Sequence, residues 1–293
     1  MIAPGDLVGG RYEVRGRLSG RAGWEVFAGR DAHLGREVVI KVPSGPSRNE
    51  EGAHELVRCA RTLSRLRDAR VVAVLDVGIL HPAGLPYVVM EHVAPLEGRA
   101  GASLLSHLSA EDPREPIGLA ARYALIADVA RGVAAADRAG VHHGDLCPAR
   151  IFIGLDGETP IAKVSDFGFS RAWGSGEGDV EALRYRAPET VRSGEMHRKS
   201  DIYAIGLLSH LLITGRLPFA DLNDEELLRA IDAGVEAPDL LDAAALVEPR
   251  ESPPAVPASE QAPGPAIPAS IPPAVEIDPQ FVAVIGVAST HRP

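Results

Sequence analysis

Two segments in the middle of the chain decide its fold. They read, in order, Val141-His142-His143-Gly144-Asp145-Leu146-Cys147-Pro148-Ala149-Arg150 and Lys163-Val164-Ser165-Asp166-Phe167-Gly168. In the first segment a histidine stands two residues before Asp145 and a proline follows it, and in the second Asp166 opens an Asp-Phe-Gly tripeptide. Asp145 and Asp166 are thus two carboxylates, separated by a short turn-rich gap, that could act in one site.

The composition is that of a sizeable acidic domain. The chain has 293 residues, 45% of them hydrophobic, and a formal charge of −10, which is enough for one large two-lobed domain or two ordinary ones. The acidic balance argues against a nucleic-acid partner. We expect neither a signal peptide nor a membrane segment, because the longest apolar run, 202–214, is too short to span a bilayer. Cys59 and Cys147 lie too far apart to suggest disulfides or zinc, which predicts a reduced, cytoplasmic protein.

The hydrophobic periodicity divides the chain into two lobes. Residues 10–92 are predicted to form a small β-rich lobe with one helix at 50–67, and residues 93–293 a larger, mainly helical lobe. The predicted strands lie at 12–14, 24–28, 36–42, 71–78 and 87–90. Three helices are predicted in the second lobe. The first begins near residue 117 and ends at Gly140, the second lies at 202–214 and the third at 221–233. Ser200 or Asp201 can cap the second.

One segment of the second lobe differs from the rest of the chain. Residues 248–275 interleave nine prolines with Ala, Ser and Glu, a composition typical of a linker or insert that packs no core. A short apolar helix is predicted after it, at 281–288.

Taken in order, the motifs of the chain resemble those of the eukaryotic-type Ser/Thr protein kinases found in bacteria. These motifs are Val38-Val39-Ile40-Lys41, Tyr87-Val88-Val89-Met90-Glu91-His92-Val93, His143-Gly144-Asp145, Asp166-Phe167-Gly168, Ala187-Pro188-Glu189 and Ser200-Asp201-Ile202-Tyr203-Ala204-Ile205-Gly206. The resemblance runs from about residue 10 to the C-terminus apart from the Pro-rich segment. It implies an α+β, two-lobed protein-kinase-like fold.

The resemblance also implies which residues would bind ATP and Mg²⁺. Lys41 would hold the α- and β-phosphates, Asp145 would accept the proton of the substrate hydroxyl, and Asp166 would bind Mg²⁺. The residues implied around the adenine are Val26, Glu91, Val93 and Phe152. Phe152 is larger than the Leu usual beneath the ring and Val39 larger than the usual Ala, so the slot either shifts slightly or excludes adenine.

The first lobe departs from the family at two places. The glutamate that normally pairs with Lys41 falls on Cys59, and Glu55 lies one turn earlier on the same helix face. Either Glu55 reaches Lys41 after a helix shift or Lys41 is free to contact Asp166, and we favour the second. The glycine-rich loop, whose backbone N–H groups approach the phosphates, is also degraded. Its three glycine places fall on Ser19, Arg21 and Trp24.

The catalytic loop departs from the family around Asp145. Gly144 replaces an arginine, Cys147 a lysine, and Arg150 the asparagine that binds a second metal. Arginine has no acceptor atom and stays charged, so it cannot ligate a cation. Two hypotheses follow for Arg150. Either its guanidinium neutralises phosphate directly, so that ATP binds with little or no Mg²⁺, or it pairs with Asp145 or Asp166 and locks the site empty.

The segment at 169–186 offers only Ser170 and Ser175 as hydroxyl sites. Because Gly144 removes the arginine that would receive a phosphate, we predict no activation by phosphorylation of this segment.

The residues that support the family's architecture are better preserved. Leu63, His143 and Phe167 are predicted to form a buried stack between the lobes. Asp201 is predicted to hold the backbone of the catalytic loop, and Glu189 to pair with Arg292.

Three functions are compatible with these residues. The first is a Ser/Thr protein kinase with an unusual site, and the second is a pseudokinase that binds nucleotide or protein without transfer. The third is a small-molecule kinase of the aminoglycoside type, which uses His-Gly-Asp but wants an asparagine where Arg150 stands. We favour the protein-kinase branch with weak or lost transfer, acting on a protein substrate or signalling partner.

Overall fold

The computed structural model of the chain describes residues 2–21, 23–44, 50–97, 99, 101–108, 117–173 and 180–232. The predicted Pro-rich segment 248–275, the predicted helix at 281–288, Ser175 and Arg292 lie outside the described residues, so the predictions made for them stay predictions.

The first lobe is built on a six-stranded antiparallel sheet with the strand order β1-β2-β3-β4-β6-β5. The strands are β1 (Leu7–Val8), β2 (Tyr12–Arg21), β3 (Trp24–Asp31), β4 (Glu37–Pro43), β5 (Val74–Leu80) and β6 (Leu85–Glu91). Alternating apolar side chains such as Tyr12, Phe27 and Ile40 point to one face and are at most 2% exposed. The strands predicted from the sequence are all present, and most of them extend further than the alternation alone indicated.

The helix that the structure describes in this lobe, α1 (Glu50–Leu63), packs against β5 and β6. Leu56, Ala60 and Leu63 are almost fully buried at the predicted 3–4 spacing. The helix ends at Leu63 rather than at residue 67, because residues 64–67 continue as a turn and an extended segment.

The described part of the second lobe is mainly helical and contains a β-hairpin. Its elements are α2 (Leu104–Leu108), α3 (Leu119–Arg138), β7 (Ile151–Asp156), β8 (Thr159–Val164), α4 (Phe169–Trp173), α5 (Val180–Leu183), α6 (Pro188–Ser193), α7 (Arg198–Thr214) and α8 (Asp224–Asp232). The hairpin formed by β7 and β8 connects the two segments that decide the fold, and it brings Asp145 and Asp166 to the same end of this lobe. The two-lobed, α+β fold implied by the resemblance is therefore confirmed.

The start of α7 differs from the prediction. Ser200 and Asp201 were expected to cap the helix, but it begins at Arg198 with His197 as its N-cap. The Ser200 hydroxyl accepts a hydrogen bond from the His197 backbone N–H at 3.3 Å, and Asp201 lies inside the first turn. Ser200 thus contributes to the cap from the first turn, as the partner of His197 in a capping box, whereas the carboxylate of Asp201 is engaged by the catalytic loop instead.

Polar contacts join the segment that precedes β5 to β8 and α3 of the second lobe. Val72 N–H donates to the Val164 carbonyl at 2.9 Å, and Val164 N–H donates to the Arg70 carbonyl at 2.8 Å. The Arg70 guanidinium reaches Asp128 of α3 at 2.9 Å. These contacts fix β8, and with it the loop that carries Asp166, against the first lobe.

Candidate active site

Strands β3 and β4 form one wall of the cleft and present their side chains to it in register. Val26 of β3 is the direct partner of Lys41 of β4, and Trp24 is the partner of Pro43. Since alternate residues of a strand share a face, Trp24, Val26 and Lys41 lie on the same side of the sheet. Val26, which the resemblance places beside the adenine, and Lys41, which it places at the phosphates, are therefore adjacent.

Lys41 contacts the aspartate of the Asp-Phe-Gly motif. Its ammonium lies 2.5 Å from Asp166 Oδ1 and 2.6 Å from Oδ2, and the two side chains are 12% and 16% exposed. Burial by itself would raise the pKa of Asp166, but the neighbouring Lys41 outweighs it, so the pKa of Asp166 lies below its ordinary value. Of the two expectations for Lys41, the structure shows the contact with Asp166.

The helix α1 explains why Lys41 makes this contact. Glu55 forms a bidentate pair with Arg58 on the outer side of the helix, at 2.7 and 2.9 Å. Cys59 stands where the family has its glutamate, and its thiol donates to the Phe167 carbonyl at 3.0 Å. Burial raises the pKa of Cys59 to about 12, so the thiol stays neutral and leaves the charge of Lys41 to Asp166.

Asp145 is enclosed by two arginines and a serine. Arg150 Nη2 lies 2.6 Å from Asp145 Oδ2, and Arg186 Nε lies 3.1 Å from Oδ1. The Ser170 hydroxyl donates to Oδ2 at 3.0 Å. The aspartate side chain has no exposed surface, while that of Arg150 is 13% exposed. Of the two hypotheses for Arg150, its position matches the one in which the guanidinium pairs with Asp145.

Two further contacts keep Arg150 in this position. Its Nη1 donates to the Asp145 carbonyl at 3.0 Å and to the Cys147 sulfur at 3.1 Å. Burial by itself would raise the pKa of Asp145, but the positive charges of Arg150 and Arg186 outweigh it. The pKa of Asp145 is therefore held below its ordinary value.

An aromatic pair lies at the end of the cleft where the resemblance places the phosphates. The indole of Trp24 stacks on Phe169, the first residue of α4, with ring centroids 5.5 Å apart and planes inclined by 27°. Phe169 is 2% exposed, and α4 packs against α1. An indole thus lies where the resemblance places a phosphate-binding glycine, and it connects β3 to the segment that follows Asp-Phe-Gly.

The predicted architectural contacts of the catalytic loop are present. The carboxylate of Asp201 accepts the backbone N–H groups of His143 and Gly144, both at 2.8 Å. The rings of His143 and Phe167 lie 4.9 Å apart, and both residues are at most 1% exposed, with Leu63 at 3%. The loop backbone is therefore as firmly held as the resemblance implies.

Two details of this region were not predicted. Glu189, whose predicted partner Arg292 lies outside the described residues, accepts a hydrogen bond from the Ser200 hydroxyl at 2.8 Å. Gly144 has a φ of 79°, and a Cβ atom there would lie 2.4 Å from the Met196 sulfur. Met196 thus fills the space that the side chain of an arginine at position 144 would need.

The strand β6 and the β7–β8 hairpin meet at the end of the cleft where the resemblance places the adenine. Lys163 lies 2.5 Å from Glu91 and is the strand partner of Phe152. Val93 packs close to Gly154 of β7, since a Cβ atom at Gly154 would lie 3.0 Å from Val93. The residues implied for adenine, Val26, Glu91, Val93 and Phe152, thus lie on the strands that bound the cleft and the segment that links the lobes.

The residues of the cleft fit phosphate groups and one divalent cation rather than two. Mg²⁺ in phosphoryl-transfer sites is held by one or two carboxylates together with the substrate phosphates, and Asp166 supplies one carboxylate beside Lys41. The family's second ligand position carries Arg150, which has no acceptor atom. Among the described residues, no group of three or more His, Cys, Asp or Glu could bind a metal without a ligand's help.

Three residues of the site were missed by the sequence analysis: Arg186, Phe169 and Lys163. Arg186 and Phe169 flank recognised motifs, but nothing in their spacing indicated which side chains they contact. Lys163 carried a usable signal, because lysine occurs only three times in the chain, at 41, 163 and 199.

Comparison with known proteins agrees with this geometry. The family profile described as "Protein kinase domain" matches residues 18–257. The chain belongs to the protein kinase family. The match covers both lobes and includes every motif from the glycine-rich loop to α7.

Individual relatives are bacterial serine/threonine-protein kinases. The chain is 32% identical over 219 residues to PknL of Mycobacterium tuberculosis, covering 73% of this chain and 51% of that protein. It is 31% identical over 234 residues to the DNA damage-responsive kinase RqkA of Deinococcus radiodurans (78% and 33%). It is 29% identical over 221 residues to PrkC of Bacillus subtilis (73% and 32%). This kinase chain therefore aligns with about half of PknL and a third of the other two.

None of the helices that the structure describes in this kinase domain has the length and apolar character needed to cross a membrane.

Proposed function

We propose that this chain is a Ser/Thr protein-kinase-like signalling domain in which ATP-dependent phosphoryl transfer to protein hydroxyls is weak or lost. The observation that carries the proposal is the contact of 2.6 Å between Arg150 and Asp145. A pseudokinase that signals through binding, and not through transfer, is the form of the domain that this contact favours.

The contact opposes general-base chemistry for two reasons. A substrate hydroxyl would have to compete with Arg150, Arg186 and Ser170, which already donate to the carboxylate oxygens of Asp145. The lowered pKa of Asp145 also makes it a weaker base. Because a well-placed general base contributes about 10²–10⁴-fold to a rate, its engagement would reduce transfer by a comparable factor.

The proposal keeps a role for nucleotide. ATP with Mg²⁺ supplies the activated phosphoryl group in this family. Lys41 and Asp166 would hold the phosphates and one cation, after their own contact has opened. Arg150 could neutralise phosphate charge in place of a cation, and we therefore propose a reduced requirement for Mg²⁺. Because Arg150 would first have to leave Asp145, we also propose that ATP binds weakly.

The acidic charge of the chain supports a protein, and not a nucleic acid, as substrate or signalling partner. The chain carries a net charge of −10, which disfavours nucleic acid. Cys59 and Cys147 are buried thiols that form no disulfide, as in proteins of a reducing compartment, which supports a cytoplasmic location.

The test is a transfer assay with a matched variant. The chain and its Asp145→Asn variant are incubated with radiolabelled ATP, Mg²⁺ and a general protein substrate such as casein. We expect the two proteins to incorporate the same low amount of label. Mg²⁺-dependent incorporation by the unchanged chain that Asp145→Asn abolishes would show a working general base and would contradict the proposal.

A further inference from the structure

A second surface lies on the outer side of α1, away from the cleft. It is a groove of about 570 Å³ between α1 and β5, lined by His54, Val57, Arg58, Arg61, Arg65 and Ile79. We infer that this groove, named here the α1 groove, binds an acidic segment of a partner protein that carries carboxylates next to aliphatic side chains. The inference is independent of the proposed function, because none of these residues belongs to the active site.

The basic side chains of the α1 groove form a single stripe. His54, Arg58, Arg61 and Arg65 are separated by four, three and four residues, so they follow one another along one face of the helical segment and the turn after it. All four are exposed. A stripe of this kind concentrates positive potential on a chain whose overall charge is −10.

The arginines of the stripe are not equally available. Arg58 is engaged by Glu55 through a bidentate pair. The guanidiniums of Arg61 and Arg65, in contrast, form no ion pair or hydrogen bond with any residue in the described part of the chain; the Ser64 hydroxyl contacts only the carbonyl of Arg61. Two guanidiniums one turn apart are thus left to bind carboxylates, for which their planar fork of donors is suited.

The α1 groove also has an apolar floor. Val57 is partly buried and Ile79 of β5 is 38% exposed, which is high for a branched aliphatic residue on a strand. An aliphatic side chain of the partner would cover them. A polynucleotide fits less well, because the groove offers no Phe, Tyr or Trp side chain for base stacking.

The α1 groove lies on the helix that also contacts the active site. On the opposite face of α1, the Cys59 thiol donates to the Phe167 carbonyl, and Leu56 is completely buried. A partner seated in the groove would therefore hold a helix whose other side touches the Asp-Phe-Gly motif.

The test measures binding of a defined acidic peptide to the full 293-residue chain. A fluorescein-labelled peptide that repeats Glu-Glu-Leu is titrated with protein and followed by fluorescence anisotropy, and a peptide that repeats Lys-Lys-Leu serves as the opposite charge. The variant Arg61→Glu/Arg65→Glu reverses the two available charges. Its matched control is Arg131→Glu/Arg138→Glu, which makes the same change of net charge on exposed arginines of α3.

We expect the acidic peptide to bind and the Lys-Lys-Leu peptide not to bind. Reversing Arg61 and Arg65 replaces two attractions by two repulsions, and the dissociation constant should rise about tenfold or more, while the α3 control should stay within about twofold. Binding should weaken from low to high salt because exposed charges are screened. Ile79→Thr should weaken it further through the apolar floor.

Three results would overturn the inference. The first is equal binding by the Arg61→Glu/Arg65→Glu variant and the unchanged chain, with both melting cooperatively. The second is equal loss in the α3 control, which would indicate a non-specific charge effect. The third is no binding of the acidic peptide together with a changed oligomeric mass in the α1 variant by light scattering, which would identify the groove as a contact between copies of the chain.

Discussion

The substitution Arg150→Asn tests the central contact of the site most directly. It removes the guanidinium from Asp145 and restores the residue that the family uses as a metal ligand. Asp145 would keep its contacts with Arg186 at 3.1 Å and Ser170 at 3.0 Å. The buried carboxylate would thus lose one of its two positive partners, and the cleft would gain an acceptor where it now has a cation.

The structure gives the size of the expected effect on stability. Breaking a buried ion pair costs about 3–5 kcal/mol when the remaining charge has no other partner. Because Arg186 still pairs with Asp145, we expect a loss of about 2 kcal/mol. In a domain of this size, each kcal/mol lowers the melting temperature by about 2–4 °C, so the ligand-free variant should melt about 4–8 °C lower.

Nucleotide should raise the melting temperature of the Arg150→Asn variant, whereas the substitution alone lowers it. A ligand at 100 times its dissociation constant stabilises the native state by about 2.7 kcal/mol, which corresponds to about 5–11 °C. With Arg150 removed, Lys41, Asp166 and the new asparagine can together hold phosphates and Mg²⁺. We therefore expect Mg²⁺ and ATP to raise the melting temperature of the variant strongly and that of the unchanged chain little.

The assay is a thermal-shift titration with ATP, with and without Mg²⁺. Arg131→Asn, on the exposed face of α3 where the arginine is 61% exposed, serves as the control and should change neither quantity. A variant that melts at the same temperature as the unchanged chain, and gains no Mg²⁺-dependent shift, would refute the view that Arg150 holds Asp145 and keeps the site closed.

Three other perturbations probe the frame around the site. In Asp201→Asn, the new amide NH₂ group faces one of the two buried backbone N–H groups of the loop, which then has no acceptor. The free energy of unfolding, measured with urea, should therefore fall by about 2–3 kcal/mol. Gly144→Arg places a Cβ atom against the Met196 sulfur at positive φ and should cost about 1–3 kcal/mol, a loss that Gly144→Arg/Met196→Ala should partly recover. Burial lowers the pKa of His143 in the folded chain, so the unfolded chain binds more protons and stability should fall as the pH falls through about 6.5. The contribution is at most about 1.4 kcal/mol per pH unit, and His143→Gln should flatten the dependence between pH 7.5 and 5.5.

Each of these three has an outcome that contradicts it. Unchanged urea unfolding of Asp201→Asn would mean that the aspartate does not hold the loop. A double variant at 144 and 196 that is no more stable than Gly144→Arg alone would exclude Met196 as the obstacle. An unchanged pH slope in His143→Gln would assign the acid sensitivity to another group.

The sequence was sufficient for the fold because ordered motifs constrain topology more strongly than any single element does. The contact of Lys41 with Asp166 was also predictable, since Cys59 carries no charge that could compete for the lysine. The Asp201 contact followed in the same way from the motif that contains it. The end of α1 and the start of α7 were less predictable, because each depends on tertiary contacts that periodicity does not encode.

The partner of Arg150 could not be chosen from the sequence. The motifs place both Asp145 and Asp166 near Arg150. Which of the two carboxylates pairs with Arg150 depends on where the other two cationic side chains of the site bind. Lys41 neutralises Asp166, while Arg186 arrives at Asp145 from a segment 41 residues away. Trp24 is a similar case, since its poor suitability for a phosphate loop was evident but the ring it stacks on was set by the packing of α4.

The methionine beside Gly144 couples two positions of the chain. A side chain at position 144 would meet the Met196 sulfur and would also have to adopt a φ of 79°. A smaller residue at 196 would open space for it, but would give up the packing that Met196 now provides. The tolerance of each position to substitution therefore depends on the residue at the other, so a library of variants of this loop has to vary both positions together.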